Sequence, residues 1–373
     1  MRKCCHITSV HPKFDTRIFY KECKSLHKAG YDVVLIYSGD RNDIVDGIKI
    51  VGCTKAKSHI CRIFRTLKLL LIAYRQNADL YHVHDVELLA VGLFLKLFAR
   101  KKVIYDVHED FPEAILSREW LPRLLRKPLS ILTSVIEKLI SQEFDCIITA
   151  TPDLKNKFKK CRNVIDIRNY PLVDLIPISL FSTEKKHGNE NNLIYVGGLE
   201  RVRGTREIIQ SLKFINPEYN VRLRLIGSFS ERDFEKEMLN MPEWKQVKFL
   251  GRLSPERTYE YLAQSDIGLV CLYPLRRFLT SYPVKMFEYM AAGIPVVASD
   301  FPLWREIIEG NSCGMCIKSL KPEEIARAIN YLLAHAEEAR MIGLNGRKII
   351  EKKYNWDHEV RKLTKVYEQL FQS

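Results

Sequence analysis

The segment Tyr282–Asp300 places a proline, a lysine and a glutamate within six residues of one another. Pro283 suits the first turn of a helix, because it lacks the N–H that would be unpaired there. Lys285 and Glu288 are three residues apart and therefore share one face of that helix. A helix N-terminus with a lysine on its first turn attracts phosphate. A carboxylate one turn further accepts hydrogen bonds from sugar hydroxyls, so the spacing predicts a nucleotide-sugar site.

A glycine-rich turn at Gly197 and Gly198 lies between a predicted strand and the predicted helix Thr205–Leu212. Glycines at such a turn let a ligand approach the backbone closely. Arg203 can offer two parallel N–H groups to a diphosphate. The same residues also fit a tight turn followed by a solvated arginine, and the sequence leaves both interpretations open.

Polar residues also follow two strands predicted in the first half of the chain. His82, His84, Asp85 and His108 are ligand types that suit zinc or iron, which gives an alternative function as a metal-dependent hydrolase. The four residues do not complete the sequence motif of a binuclear metal site, and His82 fits a hydrogen-bonded core residue equally well. His84 and Asp85 also fit an ordinary helix entry. His108 stands before the carboxylate Glu109 at a strand end, which favours a polar role at the ligand-binding edge of the sheet.

The loop after the first predicted strand holds His11, Asp15 and Arg17. Asp15 or Thr16 can cap the helix that follows, whereas Arg17 needs another explanation. Residues on such a strand-to-helix loop would face a ligand-binding cleft.

The elements that must position these residues are short apolar runs alternating with helical patterns, which is typical of parallel sheets covered by helices. We predict an α/β fold with two Rossmann-like parallel-sheet domains facing across a cleft, at residues 1–175 and 190–355. A polar stretch within Pro171–Asn192 is the predicted linker. The predicted strands are Cys4–Ser9, Val33–Tyr37, Leu80–Val83, Val103–Asp106, Cys146–Thr149, Leu193–Val196, Leu223–Ile226, Val247–Leu250, Ile267–Val270 and Pro295–Ala298.

The composition of the chain indicates which kinds of partner it could bind. The net charge is +14 over 373 residues, which favours an anionic partner: nucleic acid, anionic lipid or a phosphorylated substrate. A basic nucleic-acid-binding protein is therefore a second alternative function. Two basic amphipathic stretches suit an anionic membrane surface better than nucleic acid, because apolar residues interleave with the basic ones. The same stretches also fit helices with a solvated basic face over a face packed on the core, and the sequence leaves both interpretations open. The N-terminal sequence has no apolar core of a secretory signal, and no run is long enough to span a bilayer, so we expect a cytoplasmic protein. The two stretches contain Arg62, Arg65 and Lys68, and then Arg118, Trp120, Arg123, Arg126 and Lys127.

Three segments together resemble the retaining GT-B glycosyltransferases of family 4, in particular those that build bacterial cell-surface polysaccharides. The segments are PVKMFEYMAAGIPVVASD at 283–300, YVGGLERVRG at 195–204 and VIYDVHEDFPE at 103–113. The resemblance extends over nearly the whole chain. It implies transfer of a sugar from a UDP- or GDP-sugar to a lipid-linked or growing glycan.

The resemblance also implies roles for single residues. Glu288 matches the second glutamate of the family signature and would contact the donor ribose, while His108 would lie near the transferred sugar. The first signature glutamate falls at Thr280, so Thr280 or Ser281 would replace it. Arg203 stands where the family has a diphosphate-binding lysine. The donor site would therefore comprise Gly197, Gly198, Arg203, Lys285, Glu288, Thr280 and Ser281, with Glu306 as a further carboxylate.

On the acceptor side we expect His11, Asp15, Arg17 and Glu109. The resemblance implies no cofactor and no metal ion. The expected location is the cytoplasmic face of the plasma membrane, held there by the basic N-terminal half, and helix 357–373 would pack back on the first domain.

Overall fold

The computed structural model describes residues 1–54, 59–116, 121–176 and 190–372, with the backbone alone for 59–64. Arg118, Trp120 and most of the predicted linker lie outside the described residues, as does the side chain of Arg62. The chain divides into two compact units. The first comprises residues 1–169 and 357–373, and the second comprises residues 170–356.

The first unit is built on an eight-stranded sheet of order β3-β4-β2-β1-β5-β6-β7-β8. All neighbours are parallel except β3 and β4, which are antiparallel. The central strands are buried along almost their whole length because helices cover both faces of a parallel sheet. The strands are β1 (Lys3–Ile7), β2 (Asp32–Ser38), β3 (Asp43–Val45), β4 (Ile48–Cys53), β5 (Leu80–Val83), β6 (Lys102–Val107), β7 (Cys146–Thr149) and β8 (Val164–Asp166).

Among the described residues of this unit, six α-helices connect the strands, and a π-helical turn at Thr16–Cys23 precedes the first of them. Thr151 caps the last of the six, accepting a hydrogen bond from the N–H of Leu154. The helices are α1 (Lys24–Lys28), α2 (His59–Gln76), α3 (Leu89–Leu97), α4 (Phe111–Leu116), α5 (Arg123–Ser141) and α6 (Pro152–Lys157).

The second unit has a six-stranded, fully parallel sheet of order β11-β10-β9-β12-β13-β14. Its strands are β9 (Asn191–Val196), β10 (Val221–Ile226), β11 (Val247–Gly251), β12 (Ile267–Val270), β13 (Val296–Ser299) and β14 (Gly314–Ile317). Its helices are α7 (Thr205–Ser211), α8 (Arg232–Leu239), α9 (Pro255–Ala263), α10 (Arg276–Leu279), α11 (Val284–Ala291), α12 (Pro302–Ile308), α13 (Pro322–Ala334) and α14 (Ala336–Lys352).

Helix α15 (Trp356–Gln372) returns to the first unit. Tyr367 on this helix is completely buried, and its hydroxyl hydrogen-bonds Nδ1 of His82 at 2.9 Å and Nε2 of His6 at 3.1 Å. The C-terminal helix therefore completes the core beneath β1 and β5.

The predicted α/β class with two parallel-dominated sheets is confirmed, and every predicted strand is a strand in the structure. Four strands were not predicted. β3 and β8 are only three residues long, and β4 alternates buried and half-exposed residues before a glycine. β14 is only half-buried along most of its length. Short edge strands carry too little apolar sequence to give a clear pattern.

Candidate active-site residues in each unit

Helix α11 presents the lysine and the glutamate that the sequence singled out. Pro283 is extended and precedes the helix, which begins at Val284, one residue later than predicted. Gly293 has a φ of 68° and follows the last turn, where a left-handed residue ends a helix without strain. Lys285 thus lies on the first turn, and Glu288 lies one turn further on.

The ammonium of Lys285 is buried without a hydrogen-bond partner. The residue is 8% exposed, and its Nζ lies 3.6 Å from the centre of the Tyr195 ring. Burial, followed by the nearby positive charge of Arg203, lowers the pKa of this ammonium well below its usual value. A buried, unpaired cation is costly, so this position is suited to an anionic ligand.

Gly197 leaves the space in front of that ammonium open. Its φ is 134°, a conformation that glycine adopts without strain. A Cβ at this position would lie 2.8 Å from Nζ of Lys285, so any side chain would crowd the ammonium. At Gly198 a Cβ would lie 2.8 Å from Oε1 of Glu200. The prediction that these glycines allow close approach to the backbone is consistent with this geometry.

Arg203 is the second cation near α11. Its Nε lies 3.3 Å from Oε2 of Glu200, and its guanidinium lies 5.6 Å from the centre of the Phe278 ring. Both partners of the ion pair are about one-third exposed, so the pair is weak and the arginine can exchange partners. Arg203 and Lys285 together form a positive region that matches a diphosphate.

The remaining predicted donor residues lie near these cations in sequence but differ in environment. Glu288 is half-buried on α11, and Thr280 is exposed at the end of α10. The hydroxyl of Ser281 donates to the carbonyl of Phe278, and Nε1 of Trp304 donates to the carbonyl of Ser281 at 2.8 Å. These bonds hold the loop between α10 and α11. Glu306 is exposed on α12.

In the first unit, the loop after β1 is organised by Asp15. Its Oδ1 accepts hydrogen bonds from the N–H groups of Arg17 and Ile18, and its Oδ2 lies 3.0 Å from Nδ1 of His11. Burial opposes ionisation, but His11 outweighs it and lowers the pKa of Asp15. Conversely, burial lowers the pKa of His11, and Asp15 more than compensates and raises it. Asp15 is therefore the helix cap that the sequence predicted.

A fully buried carboxylate, Asp106, connects two of the predicted residues. Arg17 donates to both of its oxygens at 2.8 Å, and Nε2 of His108 donates to Oδ2 at 2.9 Å. Burial opposes ionisation here too, but Arg17 and then His108 hold the pKa of Asp106 well below its usual value.

The predicted acceptor-side role of Arg17 requires a correction. Its guanidinium is 3% exposed and is bound by Asp106 and by the carbonyl of Ile167. The charge of Arg17 therefore holds Asp106 in place and does not face a substrate.

Asp106 fixes the orientation of His108. Because Nε2 of His108 is held against the carboxylate at 2.9 Å, Nδ1 is the ring nitrogen that Asp106 does not occupy. The His108 side chain is 17% exposed, and its ring lies 5.0 Å from the ring of His11. The structure thus brings together His108, His11 and Asp15, whereas Glu109 is exposed beside them in sequence. Sequence reasoning missed Asp106, although a carboxylate inside an apolar strand is a signal that could have identified it.

Among the described residues, two groups could present ligands to a metal ion: His6, Glu22, His82 and His84, and also His84, Asp106 and His108. Nδ1 of His6 hydrogen-bonds Nε2 of His84 at 2.9 Å. Burial lowers the pKa of His6 and His82 well below the usual value and lowers that of His84 to about 4. Neutral imidazoles that bond to their neighbours account for the three histidines of the first group, whereas neither carboxylate oxygen of the buried Glu22 has a hydrogen-bond partner. Burial raises the pKa of Glu22 well above its usual value. The absence of a metal ion stays a prediction.

Asp85 belongs to neither group. Its Oδ2 accepts from the hydroxyl of Thr8 at 2.8 Å and from the N–H of Ser9 at 2.5 Å. It makes no capping bond to the helical turn that follows it. Asp85 does stand at the entry of that turn, since its carbonyl accepts a hydrogen bond from the N–H of Leu88, but its side chain fixes the loop after β1 and does not cap the turn. The four residues of the hydrolase alternative do not form one cluster.

Two family models match the chain. "Glycosyl transferases group 1" matches residues 179–349, and "Glycosyltransferase Family 4" matches residues 16–168. The N-acetyl-alpha-D-glucosaminyl L-malate synthase of Bacillus anthracis is 23% identical over 80% of this chain and 77% of its own. The phosphatidyl-myo-inositol mannosyltransferase of Propionibacterium freudenreichii is 22% identical over 75% of this chain and 67% of its own.

Solved structures show the same fold. Sucrose-phosphate synthase from Thermosynechococcus elongatus superposes with a TM-score of 0.80 at 18% identity, covering all of both chains. HepE of Anabaena, in complex with UDP-glucose, superposes with a TM-score of 0.72 at 16% identity, also covering all of both chains. These matches define the protein as a glycosyltransferase with two Rossmann-like domains. The chain belongs to the GT-B glycosyltransferases of family 4.

Proposed function

We propose that this glycosyltransferase moves a sugar from a nucleotide-sugar donor to a lipid-linked or growing glycan of the cell surface, with retention of configuration. The observation that carries the donor assignment is the buried ammonium of Lys285, which lacks a hydrogen-bond partner and has its pKa lowered by burial. A diphosphate would supply the missing negative charge. A structural neighbour binds UDP-glucose, which supports a UDP-sugar as the first donor to test.

In the second unit, Lys285, Arg203 and the N-terminus of α11 would stabilise the leaving diphosphate. Fixed positive charge of this kind is usually the largest contribution to catalysis. The pyrophosphate would lie against Gly197, where the backbone carries no side chain. Glu288, one helical turn from Lys285, would accept hydrogen bonds from the ribose hydroxyls.

In the first unit, His108 would contact the transferred sugar or the acceptor through its outward-facing side, with Asp106 and Arg17 holding the ring. His11 and Glu109 would contact the acceptor. The bond between the anomeric carbon and the phosphate oxygen breaks, and the acceptor hydroxyl attacks from the same face. The hydroxyl proton passes to the leaving diphosphate, so the transfer needs no carboxylate nucleophile. We expect no metal ion or cofactor in this reaction.

The donor assignment is tested by calorimetric binding of UDP- and GDP-sugars to the wild-type protein, to Lys285→Met and to Arg203→Ala. We expect at least one donor to bind, and both variants to weaken that binding by tenfold or more. Lys318 is an exposed lysine of the same unit, so Lys318→Met is the matched control. Equal affinity in the wild type and both variants would reject the site.

The stereochemical proposal is tested by proton NMR of the glycoside at early reaction times. A product with the anomeric configuration of the donor supports retention, and the opposite configuration rejects it. Turnover in the presence of EDTA tests the expectation that no metal ion takes part. The lipid-linked acceptor is supported by the name of the mannosyltransferase relative, which acts on a phosphatidylinositol.

A further inference from the structure

Helix α5 directs its apolar side outward. Large apolar residues spaced three or four apart along the whole helix are exposed, and Leu124 is 90% exposed. Residues at this spacing form one continuous stripe on a helix. Soluble proteins scatter exposed apolar residues singly and seldom align them in this way. The stripe includes Leu124, Leu125, Ile131, Leu132, Val135 and Leu139.

The opposite side of α5 is polar and faces inward. Glu137 is completely buried, accepts a hydrogen bond from the hydroxyl of Tyr105 at 2.9 Å, and pairs with Nζ of Lys157 at 2.7 Å. Ser130 donates to the carbonyl of Pro112. These bonds prevent the helix from rolling about its axis to bury the stripe, because rolling would leave Glu137 without partners. The outward orientation is therefore fixed by the fold.

Neighbouring helices extend the apolar surface. Helix α3 packs beside α5, and α2 packs beside α3. On α3, Leu97 and the adjoining Phe98 are exposed, the latter by 75%, and Leu71 is exposed on α2. The exposed apolar side chains therefore extend over three adjacent helices and are not confined to α5.

Charge indicates what covers this surface. Lys127 precedes Ile131 by four residues and Lys138 follows it by seven, so both lie along the same edge of the stripe. Arg123 is also exposed, at the first position of the helix. If a second copy of the chain packed symmetrically on the stripe, these cations would lie close to the same cations of the other copy and would repel them. An anionic lipid surface would instead attract them, at about 1 kcal/mol for each basic residue.

We propose that the outward face of α5, with the exposed residues of α3, inserts into the interface of an anionic bilayer. The helix lies in the plane of the membrane with its apolar face among the upper acyl chains and with Arg123, Lys127 and Lys138 at the phosphates. Among the described residues, no helix is long and apolar enough to cross a bilayer, which agrees with a helix that lies flat. The proposal gives a surface to the membrane partner invoked above and does not depend on the transfer reaction.

This surface shares Arg123 and Lys127 with the second basic stretch that the sequence indicated, but the other basic residues described in the two stretches do not carry it. Arg65 in the first stretch is mostly buried and lies 3.5 Å from Glu87, so it is already paired. Arg126 in the second stretch donates from Nε to the carbonyl of Leu121. Exposed apolar residues, more than these basic ones, carry the present proposal.

Co-sedimentation of the whole protein with vesicles, without donor, tests the surface. Vesicles of phosphatidylglycerol and phosphatidylethanolamine are compared with vesicles of phosphatidylcholine alone. We expect binding to the anionic vesicles. Leu124→Ser, Ile131→Ser and Leu139→Ser combined should reduce it by at least about tenfold, because each leucine or isoleucine contributes buried apolar area. The matched control is Ile44→Ser, Leu239→Ser and Met341→Ser combined, which removes exposed apolar residues from elsewhere.

A second set separates charge from apolar insertion. Arg123→Gln, Lys127→Gln and Lys138→Gln combined should reduce binding to anionic vesicles by roughly 100-fold, or about fivefold for each charge. Lys28→Gln, Lys318→Gln and Lys348→Gln combined serve as the control, since these lysines are exposed elsewhere. All variants alter exposed side chains, and circular dichroism verifies that they fold.

Three results would overturn the proposal. Wild-type protein that fails to sediment with anionic vesicles rejects it, whether or not a donor binds. So does a dimer in analytical ultracentrifugation that the serine variants dissociate, because the face is then an interface between copies. Equal vesicle binding by the serine variants and their control also rejects it.

Discussion

Replacing Lys285 by methionine is expected to stabilise the ligand-free protein. The ammonium is buried without a hydrogen-bond partner, and its pKa is lower in the folded protein than in the unfolded chain. At neutral pH the buried ammonium therefore destabilises the folded state relative to the unfolded chain, and this destabilisation disappears as the pH rises. Methionine keeps the apolar stem and removes the charge, so the free energy of unfolding should increase by about 1–3 kcal/mol.

The same substitution should abolish the response to donor. A donor at 100 times its Kd stabilises the wild-type protein by about 2.7 kcal/mol. Loss of one charge-assisted contact, about 3 kcal/mol, raises Kd by roughly 150-fold. The same donor concentration then adds only about 0.3 kcal/mol. The variant should therefore be more stable than the wild type without donor and nearly unaffected by adding it.

Urea unfolding with and without the donor that binds the wild type measures both effects. Lys318→Met should change neither the stability nor the donor response by more than about 0.5 kcal/mol, because Lys318 is exposed. A Lys285→Met protein that is less stable than the wild type, yet gains the full donor stabilisation, would refute the reasoning.

Three further perturbations test other parts of the structure. Asp106→Asn should lower kcat by about 10–100-fold with little effect on donor affinity, because Arg17 and His108 lose the anion that orients them; an unchanged kcat and pH–rate profile would contradict this. Gly197→Ala should weaken donor binding, measured by calorimetry, by about tenfold or more. Gly251→Ala is the control for backbone strain, because Gly251 also has a positive φ but a Cβ there would meet no other atom within 4 Å. The free energy of unfolding should fall by up to about 1.4 kcal/mol per pH unit for each of His6, His82 and His84 as the pH drops below 6.5, because the unfolded chain binds protons that these buried imidazoles refuse. His11 acts in the opposite direction, since its raised pKa contributes stability that is present below pH 6.5 and is lost as the pH rises through the pKa of the folded protein. The substitution His82→Phe should make the loss of unfolding free energy below pH 6.5 less steep. An identical pH dependence in the wild type and this variant would count against the role given to His82.

The second unit was predictable from local sequence. Lys285 and Glu288 share a helix, and Gly197 ends the strand that supplies Tyr195, so spacing along the chain already places them. The ten predicted strands are equally local, since each is a short, mainly apolar run. What spacing did not reveal is that the Lys285 ammonium lacks a hydrogen-bond partner, because this depends on Tyr195 packing across it.

The first unit depended on contacts between distant residues. Arg17 and Asp106 are 89 positions apart and meet only because β1 and β6 lie in one sheet. Sequence reasoning could therefore identify His108 without the carboxylate that orients it. Helix α5 is a second case in which sequence alone does not determine the structure. Its periodicity indicates two faces, but only the bonds of Glu137 determine which face points outward.

The burial of Tyr367 beneath β1 and β5 has a consequence for biosynthesis. Residues 170–356 leave the ribosome as one continuous stretch, and they form a unit without waiting for later sequence. The first unit cannot bury His6 and His82 fully until residue 367 has emerged. At roughly 5–20 residues per second, that interval lasts about ten to forty seconds. During translation the earlier-synthesised unit is therefore the later one to be completed, and its unfinished sheet is the part of the nascent chain that chaperones would have to shield.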